Sequence, residues 1–234
     1  MNSLPDGYRA VVLGSSGAIG GALVRALQAD PRCAHVDALH RGSHPAVELT
    51  DESSIAAAAA AVVAESGPLH LVICATGALQ VDGRAPEKRL AELDPDTMAR
   101  AFALNSIGPA LVIKHFHPLL ARRERSLLGV LSARVGSIGD NRLGGWYSYR
   151  ASKAALNMLL RCAAIEVARQ RPLAVLAALH PGTVVSALSA PIIGDAEASH
   201  PDQAAARLLA VLDGLPAEGA SGGFHAWDGQ SIVW

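Results

Sequence analysis

Short apolar runs alternate with alanine-rich stretches along nearly the whole chain of 234 residues. A short apolar run bounded by turn residues is typical of a buried strand, and a longer alanine-rich stretch is typical of a helix. Strands that alternate with helices pair in parallel, with helices on both faces of the sheet. The pattern therefore predicts one α/β domain over residues 1–234, built on a doubly wound parallel sheet. The predicted strands are 9–13, 35–39, 46–49, 69–75, 126–132, 173–179 and 224–227, and the predicted helices are 18–29, 53–65, 95–120, 149–170 and 201–212.

A glycine-rich turn, with Gly17 at its centre, joins the first predicted strand to the first predicted helix. Glycine lets the backbone turn tightly and approach a pyrophosphate, and the helix N-terminus that follows stabilises the phosphate charge. A glycine triplet alone often marks only a turn, but the strand–turn–helix context favours a phosphate site. The residues predicted to hold the phosphates are Gly14, Ser16, Ala18, Ile19 and Gly20.

Tyr149 and Lys153 lie one helical turn apart at the start of the fourth predicted helix. Residues at positions i and i+4 share a helix face, so the phenol and the ammonium group point into the same space. The pKa of free tyrosine is about 10, and a cation within roughly 4–6 Å lowers it toward the range that acid–base catalysis uses. Such a pair is often only a solvated helix face, but together with the glycine turn it predicts hydride-transfer chemistry.

The composition argues against several other classes of function. A formal net charge of −1 gives no electrostatic reason to expect nucleic acid or an anionic membrane as a partner. No apolar run approaches the roughly 20 residues that span a bilayer, and the first residues lack the pattern of a signal peptide. Cys33, Cys74 and Cys162 are scattered and suit reduced thiols rather than a metal site. We therefore expect a cytoplasmic protein that acts on a small molecule without a metal ion.

Four motifs resemble those of the short-chain dehydrogenase/reductase family, and the resemblance covers essentially the whole sequence. The glycine turn resembles the family's Gly-x-x-x-Gly-x-Gly, with Ala18 in place of the middle glycine. Tyr149 and Lys153 match its Tyr-x-x-x-Lys pair, and Asn105 matches the asparagine of its catalytic tetrad. The segment that resembles the family's nicotinamide-holding segment contains Pro181, Gly182, Val184 and Ser186.

The resemblance implies an oxidoreductase that transfers a hydride between a nicotinamide dinucleotide and a small carbonyl or alcohol substrate. It also implies a Rossmann fold of about seven strands in the order 3-2-1-4-5-6-7, and a homodimer or homotetramer. Tyr149 would protonate the forming alkoxide, Lys153 would lower the pKa of that tyrosine and hold the ribose, and Asn105 would anchor a water in a proton relay. Residues 134–138 and 145–149 look most like the branch of sniffer-type carbonyl reductases and C-factor-like proteins.

Two segments depart from the family pattern and bear on the cofactor. The family's Asn-Asn-Ala-Gly appears here as residues 74–77, Cys-Ala-Thr-Gly, so Ala75 and Gly77 are expected to contact the adenosine side through their backbone. At the end of the second strand an acidic residue would bind the ribose of NAD, but the sequence has His40 and Arg41. A guanidinium there suits a 2′-phosphate. NADP(H) is therefore the preferred cofactor, and NAD(H) is left open.

The family's serine, whose hydroxyl holds the substrate carbonyl, aligns with Ala133. Ser132 and Ser137 are the two hydroxyls that stand nearby in the sequence. Side chains of a strand alternate between faces, so Ser132 reaches the cleft only if the strand end is distorted. We favour Ser132 as the functional serine because it is nearest to the family's position. The other reading is that both serines bond only to local backbone.

A different class of function stays open beside the enzyme. C-factor-like proteins are implicated in cell signalling, and a dinucleotide-binding sensor would keep this fold while turning over poorly. The intact residues Tyr149, Lys153 and Asn105 favour the enzyme, and the altered serine region favours the sensor. The determinants of the substrate are expected in three loops, at about 81–95, 133–146 and 186–200, whose sequences do not identify it.

Overall fold

The computed structural model describes residues 1–186 and 198–234, whose strands form one parallel six-stranded sheet. The strand order is β2-β1-β3-β4-β5-β6, and every neighbouring pair is parallel. The predicted doubly wound α/β sheet is therefore confirmed. The strands are β1 (Tyr8–Leu13), β2 (Cys33–Leu39), β3 (Leu71–Cys74), β4 (Ser126–Leu131), β5 (Ala174–His180) and β6 (Gly223–Ala226).

Helices cover both faces of this sheet, and each face has its own apolar core. Successive residues of β1 alternate between them: Val11 and Leu13 join one cluster, and Ala10 and Val12 join the other. The first cluster includes residues of α2, α4 and α5, and the second includes residues of α1 and α6. The helices are α1 (Ala18–Gln28), α2 (Glu52–Ser66), α3 (Pro95–Phe102), α4 (Gly108–Phe116), α5 (Tyr147–Gln170) and α6 (Pro201–Gly214).

The prediction of a strand at residues 46–49 is wrong, because this segment pairs with no strand of the sheet. The observed order is otherwise the predicted one with that outermost strand removed. Val47 donates its N–H to His40 O at 3.0 Å, and its side chain is buried in the first core cluster. Leu49 packs against the same cluster. The apolar residues that suggested a strand therefore reflect packing of side chains rather than pairing of backbone.

The long helix predicted over 95–120 is interrupted by a π-helical turn, Ala103–Ile107, between α3 and α4. Pro109 follows this turn and has no N–H to donate to the carbonyl of Asn105, so regular α-helical hydrogen bonding cannot continue there. Such π turns often lie at functional sites. Here the turn carries Asn105, whose side chain is fully buried. Among the described residues, no helix is both long and apolar enough to cross a membrane.

Candidate active site

One cleft lies beyond the carboxyl ends of β1, β3, β4 and β5, where ligands bind in folds of this class. It contains two adjoining cavities of about 320 and 480 Å³, which share residues of their walls. The first is lined by the glycine turn and the end of β2, and the second reaches Tyr149 and Lys153. The predicted site residues that line the cleft are Gly14, Ser16, Ala18, Ile19, Gly20, Arg41, Ala75, Gly77, Ser132, Tyr149, Lys153, Pro181 and Ser186.

The glycine turn between β1 and α1 fits closely against the loop after β3. Gly14 has a φ of +84°, and a Cβ added there would lie 2.7 Å from Ala75 O. A Cβ at Gly20 would overlap Gly14 O. The N-cap residue of α1, Gly17, has no side chain to satisfy the first N–H groups of the helix. Those groups are therefore available to an anion such as a pyrophosphate.

Asn105 lies outside the lining of the cleft and holds the loop after β3 from behind. Its Oδ1 accepts a hydrogen bond from Ala78 N, and its Nδ2 donates one to Ala78 O, both at 2.8 Å. Nδ2 also donates to Ser152 Oγ of α5 at 3.2 Å. The π turn is thereby tied both to this loop and to the helix that carries Tyr149. Asn105 therefore fixes the position of this loop relative to α5. The part in a proton relay that the resemblance implied for it stays a prediction.

Lys153 is 3% exposed and donates from Nζ to Leu131 O at 2.9 Å. Burial lowers the pKa of Lys153 from 10.5 to about 8. Burial also raises the pKa of Tyr149 from 10.0 to about 12. Burial is the cause of this rise, so the lowering of the Tyr149 pKa by Lys153, which the resemblance implied together with the charge of the oxidised nicotinamide, stays a prediction. At neutral pH the phenol carries its proton and is ready to donate it.

The hydroxyl of Tyr149 makes no hydrogen bond to any residue that the structure describes, and it borders the cleft. The hydroxyls of the two candidate serines, in contrast, are both hydrogen-bonded within the protein. Ser132 lines the cleft, but its Oγ donates to Asn157 Oδ1 at 2.7 Å. Ser137 donates from Oγ to Val233 O at 2.5 Å. Both serine protons are thus directed at protein acceptors, and the role predicted for Ser132 stays a prediction.

The end of β2 places a cation beside the smaller cavity, which the glycine turn also lines. Arg41 borders both cavities, and it forms no ion pair with the described residues. His40 lies next to it, and its Nδ1 accepts a hydrogen bond from Gly42 N at 2.9 Å. The charge of Arg41 is therefore free to meet a phosphate in this part of the cleft.

The segment after β5 forms the opposite wall. Gly182 has a φ of +77°, and a Cβ there would lie 2.8 Å from Trp227 Cδ1. Val184 forms a bridge with Ser199, and Ser186 borders the larger cavity. Most of the substrate loop predicted at 186–200 lies outside the described residues, which end at 186 and resume at 198.

Comparisons with known proteins agree with this geometry. A family model described as enoyl-(acyl carrier protein) reductase matches residues 19–209. The chain belongs to the short-chain dehydrogenase/reductase family. Members of this family are oxidoreductases that use NAD(P), so the oxidoreductase class predicted from the sequence is confirmed.

Individual members of the short-chain dehydrogenase/reductase family resemble the chain over most of its length. It is 35% identical over 190 residues to 1-hydroxy-2-glutathionyl-2-methyl-3-butene dehydrogenase of a Rhodococcus species, a match that covers 81% of this chain and 79% of that protein. It is 36% identical over 145 residues to C-signal of Myxococcus xanthus, covering 62% of this chain and 83% of that one. The NADPH-bound carbonyl reductase from chicken fatty liver superposes with a TM-score of 0.82 at 28% identity, covering 99% of this chain and 100% of that one.

Two polar residues of this dehydrogenase/reductase were missed from the sequence. Asn157, the partner of Ser132, lies four residues after Lys153 and hence on the same face of α5, a spacing that could have revealed it. Glu87 is buried against the first turn of α5, but it stands in a loop where no motif of the sequence singles it out. Within the described part of the chain, no group of three or more His, Cys, Asp or Glu residues is placed to hold a metal ion.

Proposed function

We propose that this protein transfers a hydride between NADP(H) and a small carbonyl or alcohol substrate, with Tyr149 as the general acid or base. The observation that carries the proposal is the hydroxyl of Tyr149, which is hydrogen-bonded to no described residue and lies one helical turn from the buried Lys153, at the end of a cleft suited to a dinucleotide. The Tyr-x-x-x-Lys pair and the membership of the family point to the same reaction.

The residues of the cleft fit a phosphorylated dinucleotide. The close approach of Gly14 to Ala75 and the uncapped start of α1 leave room and N–H donors for a pyrophosphate. Arg41 is placed to bind a 2′-phosphate, and Pro181 and Ser186 line the half that would receive the nicotinamide. The NADPH bound to the carbonyl reductase from chicken supports the choice of NADP(H). We keep NAD(H) as the weaker ligand.

The chain itself supplies the proton and the orientation. When bound, the reduced nicotinamide supplies the hydride that the carbonyl carbon accepts. Tyr149 donates its phenolic proton to the carbonyl oxygen as the alkoxide forms, and in the reverse direction it receives that proton. Lys153, anchored on Leu131 O, places a positive charge near the phenolate that results. Asn105 keeps the loop after β3 in place through its two hydrogen bonds to Ala78.

Replacement of Tyr149 by Phe tests the proposal. We expect the affinity for NADPH, measured by fluorescence titration, to stay within a few fold, while kcat falls by about 10²–10⁴-fold, the usual worth of a general acid. Tyr147→Phe is the matched control, because residues two apart on a helix face different directions. It should leave both quantities nearly unchanged. Full turnover in Tyr149→Phe would remove this residue from the mechanism.

A second function, a dinucleotide-binding sensor with little turnover, is favoured by one observation. The two candidate serines, Ser132 and Ser137, each donate their hydroxyl proton to a protein acceptor, so neither proton is free for a substrate carbonyl. The similarity to C-signal is consistent with that reading. A panel of aldehydes and ketones with NADPH and NADH separates the two functions. A glutathionyl alcohol, the class named in the Rhodococcus relative, belongs in the oxidative arm of the same panel. Tight NADPH binding without turnover of any substrate would favour the sensor.

A further inference from the structure

A buried carboxylate from a distant loop lies against the first turn of α5. Glu87 is 6% exposed and Ser148 is 4% exposed. The carboxylate accepts a hydrogen bond from Ser148 N at 3.2 Å and another from Ser148 Oγ. Ser148 directly precedes Tyr149, so these two bonds reach the residue next to the reactive phenol.

The backbone of Glu87 makes a further contact with the same turn. Its carbonyl oxygen accepts a hydrogen bond from Trp146 N. Trp146 has φ 51° and ψ 43°, a left-handed conformation that is uncommon for a bulky residue and is kept only where the surroundings impose it. The ring of Trp146 meets the ring of Tyr149 edge to face, with centroids 6.3 Å apart. Glu87 therefore holds Trp146 and Ser148, the residues just before and just after the first residue of α5.

The first turn of α5 lacks a cap of its own. Trp146 occupies the N-cap position without a side-chain hydrogen bond, and the first turn contains no acidic residue. The first N–H groups of a helix need acceptors, and a carboxylate near them is favoured by the helix dipole. Glu87 provides that carboxylate from 61 residues away in the chain. The position of Tyr149 thus depends on a loop that is remote in sequence.

We propose that Glu87 is a positioning residue, which fixes the first turn of α5 so that the hydroxyl of Tyr149 faces the substrate oxygen. The same loop contributes Val81 and Arg84 to a small cavity that Ser148 and Tyr149 also line. The inference rests on the proposed function, because it assigns to Glu87 the alignment of the proposed acid.

Substitutions of Glu87 and Ser148 test this inference, because a positioning residue should affect kcat but not the Kd for NADPH. Misplacement of a reacting group by about 1 Å can cost on the order of 10²-fold. We therefore expect Glu87→Ala to lower kcat by roughly ten- to a hundredfold, with the Kd for NADPH changed less than about twofold. Glu87→Gln keeps an oxygen acceptor and should recover most of that loss. Glu52→Gln removes a first-turn carboxylate from α2, away from the cleft, and is the matched control.

The results separate this inference from the proposed function. A kcat within about twofold of wild type in Glu87→Ala would overturn the inference, as would a parallel loss of NADPH affinity, which would indicate a general structural role. If Glu87→Ala does not fold, Ser148→Ala carries the test: a reduced kcat at unchanged Kd supports the inference, and an unchanged kcat overturns it. Tyr149→Phe is measured beside them. Loss of turnover in Tyr149→Phe alone leaves the proposed function standing and removes only the role of Glu87, whereas full turnover in Tyr149→Phe removes both.

Discussion

The burial of the charged Lys153 lowers the free energy of unfolding, so its replacement by an apolar residue should make the protein more stable at neutral pH. Its pKa falls from 10.5 to about 8 because burial disfavours the charged form. This lowering of the pKa by 10.5 − 8 = 2.5 corresponds to about 3 kcal/mol, because one pKa unit is worth about 1.4 kcal/mol. Lys153→Met keeps the length of the side chain but leaves Leu131 O without its donor, a loss of about 1 kcal/mol. We expect a net gain of about 2 kcal/mol at pH 7.

The sign of the pH dependence follows from the two pKa values. The folded-state pKa lies below the unfolded one, so between about pH 8 and 10.5 the unfolded chain binds more protons than the folded protein. The free energy of unfolding of the wild type therefore rises with pH through that window, relative to Lys153→Met. The advantage of the variant is complete below about pH 8 and should shrink to less than about 1 kcal/mol by about pH 9.5.

Thermal and urea unfolding at pH 7 and pH 9.5, on protein freed of dinucleotide, measure this difference. For a chain of this size about 2 kcal/mol corresponds to a rise in Tm of about 4–8 °C. Lys114→Met, at an exposed lysine, is the control and should change stability by less than about 0.5 kcal/mol at either pH. A variant less stable than the wild type at pH 7, or a difference that is the same at both pH values, would refute the reasoning.

Two further substitutions test the cofactor and serine assignments. Arg41→Ala should weaken NADPH about tenfold or more and leave NADH unchanged, since a charge-assisted hydrogen bond is worth about 1.5–3 kcal/mol. Arg169→Ala, in the last turn of α5, is its control, and a wild-type preference for NADH would contradict the assignment. Ser132→Ala leaves Asn157 Oδ1 without its donor and should lower the free energy of unfolding by about 1–3 kcal/mol. We expect kcat to stay within about threefold because that proton goes to Asn157, whereas a serine that holds the substrate carbonyl would cost about tenfold or more.

The sequence determined those features whose signal lies within one element or one turn. Apolar runs separated by alanine-rich stretches specified the parallel sheet, because burial on both faces leaves strands almost entirely apolar. The i, i+4 spacing placed Tyr149 and Lys153 on one helix face, and the context of the glycine turn placed Gly14 at the end of β1. In each case the geometry of the element itself fixes which residues are neighbours.

Local pattern failed where several elements meet. The apolar residues at 46–49 look like a strand, yet they pack against a core that α2 and α4 complete. The alanine-rich pattern also missed the π turn at Asn105, which depends on one proline after it. Hydrophobic periodicity reports that a side chain is buried, but it does not report what the backbone pairs with.

Only the tertiary structure decided the electrostatics and the partners of the site. Burial raises the pKa of Tyr149, and the depth at which it lies is set by every element packed around α5. Ser132 meets Asn157 across 25 residues, and Glu87 meets Ser148 across 61. Contacts between residues so far apart depend on how the whole chain packs, because no local periodicity encodes them. The sequence therefore determined which groups are present for chemistry, and the packing of the sheet and its helices decided their protonation, their orientation and what holds them.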